Sequence, residues 1–161
     1  MLKLTLLEVF LRALPESFLV VFAVYAFSKT VINVKRYIIS SLIYVILIYI
    51  IRLLPIQYGV HTILNIIVLI VLTVNINKIV IIKSIQASIM ALILLFICEG
   101  INIFIIQYIL KVNVVNLLSN TSLKTLYGIP SLVIFATTVF TYYFCLVRRK
   151  KLNEVINGET I

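Results

Sequence analysis

Ser84-Ile-Gln-Ala-Ser-Ile-Met-Ala-Leu-Ile-Leu-Leu-Phe-Ile-Cys-Glu-Gly-Ile-Asn-Ile-Phe-Ile-Ile-Gln-Tyr-Ile-Leu110 holds 27 residues and one charged side chain, Glu99. As a helix it rises about 40 Å, more than the roughly 30 Å hydrocarbon core of a bilayer. Four more apolar stretches accompany it, and together the five occupy nearly all of the 161 residues. The hydrophobic fraction is 63% and the mean hydropathy +1.23, against roughly 45–50% apolar residues in soluble domains. No room is left for a water-soluble domain. The reading is all-α: a polytopic transmembrane helical bundle of about five spans, formed by residues 1–147, with a basic cytoplasmic tail at 148–161.

Working outward, the spacing predicts spans over 4–27, 37–54, 60–75, 84–110 and 129–147, with an interfacial segment at 111–127. The first stretch carries Lys3, Glu8, Arg12 and Glu16 in its first half and a clean apolar run from Phe18 to Phe27. It reads either as one tilted helix kinked at Pro15 or as an interfacial turn followed by a spanning helix. It shows no small-residue cleavage pattern, so it reads as a retained helix and not a signal peptide. Leu54-Pro55-Ile56-Gln57-Tyr58-Gly59 reads as a turn, because proline ends a helix and glycine permits unusual dihedrals, and it makes the second and third spans an antiparallel hairpin. The stretch from Lys111 to Tyr127 mixes Asn113, Asn116, Ser119, Asn120 and Lys124 with Val and Leu, too polar to span and too apolar to be fully solvated. Gly128 and Pro130 are expected to introduce the last span. No Gly-xxx-Gly pair, heptad seam or internal repeat stands out.

Fourteen Lys and Arg against five acids give a net charge of +9. Nine of those cations fall on one side of the five-span arrangement: Lys29, Lys35, Arg36, Lys78, Lys83 and the cluster Arg148, Arg149, Lys150, Lys151. By the positive-inside rule that side is cytoplasmic, which places the C-terminus inside and the N-terminus outside. The four-residue cluster is expected to contact lipid headgroups, and membrane lipids, not nucleic acid, are the partner that the basic balance implies. Heavy use of Ile with Asn and Lys is a compositional association with AT-rich bacterial genomes, so a bacterial cell membrane is the expected location.

Glu99 is the sharpest position for chemistry. A carboxylate in hydrocarbon costs several kcal/mol or more unless paired or hydrated, so it must face protein or water. Asn102 shares its helix face three residues on. Glu99 reads equally well as a ligand, ion or proton site and as a hydrogen-bonded packing contact. Arg52 and His61 flank the Pro55 to Gly59 turn on the outer side, Asn65 follows one turn after His61, and Glu16 is one available partner for Arg52. The plainer reading is that Arg52 snorkels to headgroups and His61 caps a helix start.

Catalysis is disfavoured by what the chain lacks. There is one His, no Asp and only four Gly, so a His-Glu-x-x-His zinc site, a nucleophile elbow and a Walker loop are all missing. Cys98 and Cys145 sit at different depths, which argues against a disulfide. No catalytic residue, metal or cofactor is expected.

The stretch Arg52-Leu-Leu-Pro-Ile-Gln-Tyr-Gly-Val-His-Thr-Ile, the pair Pro15-Glu16 and the run Gly128-Ile-Pro-Ser131 resemble small clostridial membrane proteins and the membrane sensor region of accessory-gene-regulator-type quorum-sensing histidine kinases. The resemblance covers the whole chain. It implies helices that sense a secreted peptide, but without a dimerisation helix, phospho-acceptor His or ATP-binding domain. The expectation is therefore a non-enzymatic, sensor-like or accessory subunit acting through a separate signalling partner such as a histidine kinase. The alternative is a small transporter component working with an ATPase, with Glu99, Asn102, Asn65 and Gln107 lining a substrate cavity. Homo-oligomerisation fits either.

Overall fold

A helix that is hydrophobic on every side is covered either by lipid or by protein, and one segment is covered by protein all round. Val20 to Ala26 are seven consecutive buried residues, and they form the middle of α1 (Leu14–Ser28). The computed structural model describes residues 13–54, 58–108 and 121–149, together with Leu152 and the pairs 155–156 and 159–160. Four further helices follow: α2 (Val34–Leu53), α3 (Tyr58–Asn75), α4 (Ile81–Tyr108) and α5 (Thr121–Arg148). The first segment is thus the central post of the bundle. It packs most extensively against α4, then against α2 and α5, and only lightly against α3. A two-residue ladder in the tail pairs Val155 with Thr160 and Ile156 with Glu159, too short to alter an all-α class.

Three helices are long and apolar enough to cross a membrane: Val34–Leu53, Ile81–Tyr108 and, within α5, Gly128–Arg148. Leu14–Ser28 and Gly59–Asn75 are shorter apolar helices. At about 1.5 Å per residue α1 rises roughly 22 Å. Its burial behind longer neighbours makes a full hydrocarbon match unnecessary.

Without a hydrophobic driving force in lipid, helices associate through close packing of small residues and through hydrogen bonds. On the buried face of α4 lie the small residues Ser84, Ala87, Ser88 and Ala91, and α4 is the helix against which α1 packs most extensively. Between α1 and α2 the link is aromatic. The Tyr37 ring lies 5.8 Å from that of Phe18, 6.4 Å from Phe22 and 6.3 Å from Tyr25, edge-on to each. Phe22 in turn meets Phe140 at 4.7 Å and Tyr143 at 5.2 Å on α5, and the Tyr143 hydroxyl reaches the backbone of Ile32.

Two tight turns set the directions of the helices. After α1, Thr30 N–H bonds to Tyr25 O at 3.1 Å and Lys29 N–H to Ala26 O at 3.2 Å, the pair of bonds that defines a Schellman stop. Lys29 occupies its left-handed position at φ 55, where glycine is favoured. Asn33 then caps α2, its side chain accepting from Arg36 N–H at 3.4 Å. After α3, Lys78 is again left-handed, at φ 58, while the hydroxyls of Thr73 and Ser84 bond to one another across the turn. Both turns, and the C-terminal end of α5 beside Phe27 through Tyr142, lie at one end of the bundle.

Several sequence expectations are corrected. Gly128 and Pro130 stand at the head of the last membrane-length stretch, Gly128–Arg148, but not at the head of its helix: α5 begins at Thr121 and Pro130 lies inside it, as proline can in a membrane helix. Of the segment 111–127, residues 121–127 are the first turns of α5, and the remainder lies outside the described residues. Tyr58 and Gly59 belong to the first turn of α3 and not to the loop; a Cβ on Gly59 would meet nothing within 4 Å, so no special dihedral is called upon there. The second span starts at Val34, three residues early, and α4 at Ile81. Pro15 stands in the first turn of the described helix, and the expectations for residues 4–12 lie outside the described residues.

Candidate functional site

At the end of the bundle opposite the two lysine turns, α1, α2 and α3 bring polar groups together. Glu16 sits in the first turn of α1 and Arg52 in the last turn of α2, so each charge complements the dipole of its own helix. Tyr44, midway along α2 and 2% exposed, lies within electrostatic reach of both the Glu16 carboxylate and the Arg52 guanidinium. Helical side chains lean toward the helix N-terminus, which turns the Arg52 stem back into the bundle and toward Tyr44. Sequence reasoning paired Glu16 with Arg52 and missed Tyr44. The signal was present, since Tyr44, Ile48 and Arg52 recur at four-residue spacing on one helical face.

On α3, which forms the antiparallel hairpin with α2, His61 and Asn65 are half-buried and one turn apart. Among the described residues, His61 Nδ1 and Asn65 Oδ1 are buried without a hydrogen-bond partner, a condition that costs about 1–3 kcal/mol per group. Glu16, Arg52, His61 and Asn65 thus stand at one end of three adjoining helices, with Tyr44 deeper, midway along α2.

Glu99 and Asn102 lie on α4. Asn102 is buried and Glu99 half-buried, and both engage neighbours. Gln107 is exposed on the outside of α4, so it does not line a cavity with them. Gly100 is exposed too, with nothing near its missing side chain; among the described residues it admits no helix of this chain. Cys98 is buried and Cys145 exposed, both as free thiols.

The opposite end is basic. Lys29, Lys35, Lys78, Arg148 and Arg149 are exposed there, with Arg36 and Lys83 half-buried. Arg148 lies 5.4 Å over the Phe144 ring, a cation–π contact that holds its charge at the helix end. Lys150 and Lys151 lie outside the described residues.

Fold and site together define a class: an all-α, polytopic membrane protein with a polar cluster at one end and a cationic rim at the other. No family model, curated protein or solved structure matches the chain.

Proposed function

We propose that the protein is a non-enzymatic, sensor-like or accessory membrane subunit that works through a separate signalling partner, with the polar cluster outside and the basic end in the cytoplasm. The carrying observation is the buried, unpartnered pair His61 Nδ1 and Asn65 Oδ1 at the start of α3, the end of the bundle that also holds Glu16 and Arg52. A ligand with complementary groups satisfies those atoms only by reaching them beneath the surface of the bundle, which requires α3 to yield. Binding and conformational change are therefore coupled, and the free energy gained is what shifts the helices between states. The cationic rim at the far end supports the orientation, because Lys and Arg concentrate in cytoplasmic loops, and in that orientation it faces the compartment where a kinase resides.

The test is purification from native membranes through a tag on the tail, followed by mass spectrometry. Recovery of a histidine kinase, lost or altered in Arg52→Ala, supports the proposal; a protein that purifies alone, with Arg52→Ala and Glu99→Ala unchanged in signalling and partner association, overturns it. The transporter reading keeps one supporting observation, the buried Asn102 beside half-buried Glu99 in the 28-residue helix α4. Co-purification of an ATPase, or solute uptake in proteoliposomes, would favour it.

A further inference from the structure

A serine or threonine inside a helix has a partner at hand, the carbonyl three or four residues back. Among the described residues the buried serine and threonine hydroxyls use such a carbonyl or one another. Ser17 Oγ donates to Ala13 O at 2.6 Å, Ser41 Oγ to Tyr37 O at 2.8 Å and Ser131 Oγ to Gly128 O at 2.7 Å, while Ser28 Oγ meets Thr30 Oγ1 at 2.9 Å. Ser88 does neither. It is fully buried on the inner face of α4, yet its hydroxyl has no hydrogen-bond partner. Asn77, in the turn between α3 and α4, is 2% exposed, and neither its Oδ1 nor its Nδ2 is partnered.

The two residues belong to one place in the fold. Ile79 N–H bonds to Thr73 O at 3.2 Å and closes the turn around Asn77. Across that turn the hydroxyl of Thr73, in the last turn of α3, bonds to that of Ser84, in the first turn of α4. Ser88 follows Ser84 by one helical turn on the same buried face. Asn77, the Thr73–Ser84 pair and Ser88 therefore form a polar column that enters the bundle from its basic end. Beyond Ser88 the face turns apolar at Ala91, Leu92 and Leu95, and the column stops.

The chemistry of the orphaned atoms selects the ligand. Oδ1 only accepts and Nδ2 only donates, so a bare cation would serve the first alone and a bare anion the second alone. A cation is disfavoured further, because none of the four residues carries a negative charge and exposed Lys78 stands in the turn itself. Water donates and accepts at once. It is the usual partner of polar groups that a fold buries, membrane helices included. We propose that the column is a hydration site, with ordered water bound at Asn77 and at Ser88 on either side of the Thr73–Ser84 hydroxyl pair. The water ties the α3–α4 turn to the interior of α4. The site is independent of whether the signalling or the transport reading holds.

Two readouts on the full chain in nanodiscs test this. The first is the sign of a stability change. A dry orphan costs stability, so deleting it strengthens the fold, whereas deleting an anchor of bound water leaves that water's other partners unmet and weakens it. Asn77→Leu, close in shape to the native side chain, and Ser88→Ala are each expected to lower the midpoint of thermal unfolding by about 2–4 °C. Unchanged or raised midpoints in both overturn the site. The second readout needs no folded variant: transfer of magnetisation from water to side-chain amides in wild-type protein labelled with 15N-asparagine. A cross-peak from water to the buried Asn77 amide supports the proposal. An Asn77 amide that receives nothing from water, while that of exposed Asn75 does, overturns it.

Discussion

The Tyr37 hydroxyl on α2 donates to the backbone carbonyl of Phe18 on α1 across 3.0 Å. A helical carbonyl keeps a second lone pair after its own i+4 bond, so α1 gains a partner without losing a turn. The ring that carries this hydroxyl also meets Phe18, Phe22 and Tyr25 edge-on. Hydrogen bond and ring packing are separable. Tyr37→Phe should remove the first alone and destabilise the bundle by about 0.5–1.5 kcal/mol, while Tyr37→Ala should also lose the ring contacts and cost about 3–5 kcal/mol. Thermal unfolding followed by size-exclusion chromatography in detergent would rank the two. Equal effects would mean that the hydrogen bond carries everything and the ring contacts add nothing.

Lys29 is strained by its place in the Schellman turn. At φ 55 a side chain with a Cβ costs about 1 kcal/mol relative to glycine, and the same holds for Lys78 at φ 58. Lys29→Gly should therefore raise the midpoint of thermal unfolding by roughly 2–4 °C, whereas Lys29→Ala, which loses the same charge and keeps the strain, should not. If both variants raise it alike, charge repulsion at the basic rim outweighs backbone strain at this position.

Most of the fold was legible because hydropathy alone marks five apolar segments. What sequence could not rank was their burial. Val20 to Ala26 look no more apolar than the middle of α4, yet they form the centre of the bundle, since in a membrane protein both lipid and protein select apolar side chains and periodicity loses its contrast. The buried face of α4 was hidden for the same reason, among residues that are apolar on nearly every side. Pro130 marked the head of the span and not of the helix, because proline is a helix terminator in water and is tolerated inside a membrane helix. The polar positions were the legible ones. Glu16, Arg52, His61 and Asn65 were singled out by their cost in lipid, and the first two share Tyr44 as a neighbour.

The inner face of α4 carries small side chains at Ser84, Ala87, Ser88 and Ala91, the residue type that lets membrane helices pack closely. Ala91 is completely buried, so Ala91→Leu inserts three carbons where no space exists and should destabilise by about 1–3 kcal/mol. Met90→Leu, next to it and exposed, should cost almost nothing in a monomer. Thermal unfolding of the pair in detergent checks the assignment of the inner face, and a larger loss at Met90 would reverse it.

Glu16 and Arg52 act on a common neighbour, Tyr44, so their substitutions should not add. Glu16→Gln removes one of the two charges that act on Tyr44 and Arg52→Gln removes the other, opposite one; each single change leaves the remaining charge unbalanced there, while the double change removes both. The double variant should accordingly be more stable than the sum of the two losses implies, with a coupling of about 0.5–3 kcal/mol. A cycle built from unfolding midpoints in one detergent measures it. Repeating the cycle in a Tyr44→Phe background asks whether the phenol transmits the interaction: a coupling that falls there assigns Tyr44 as the bridge between α1 and α2, and one that stays constant assigns the interaction to the two charges alone.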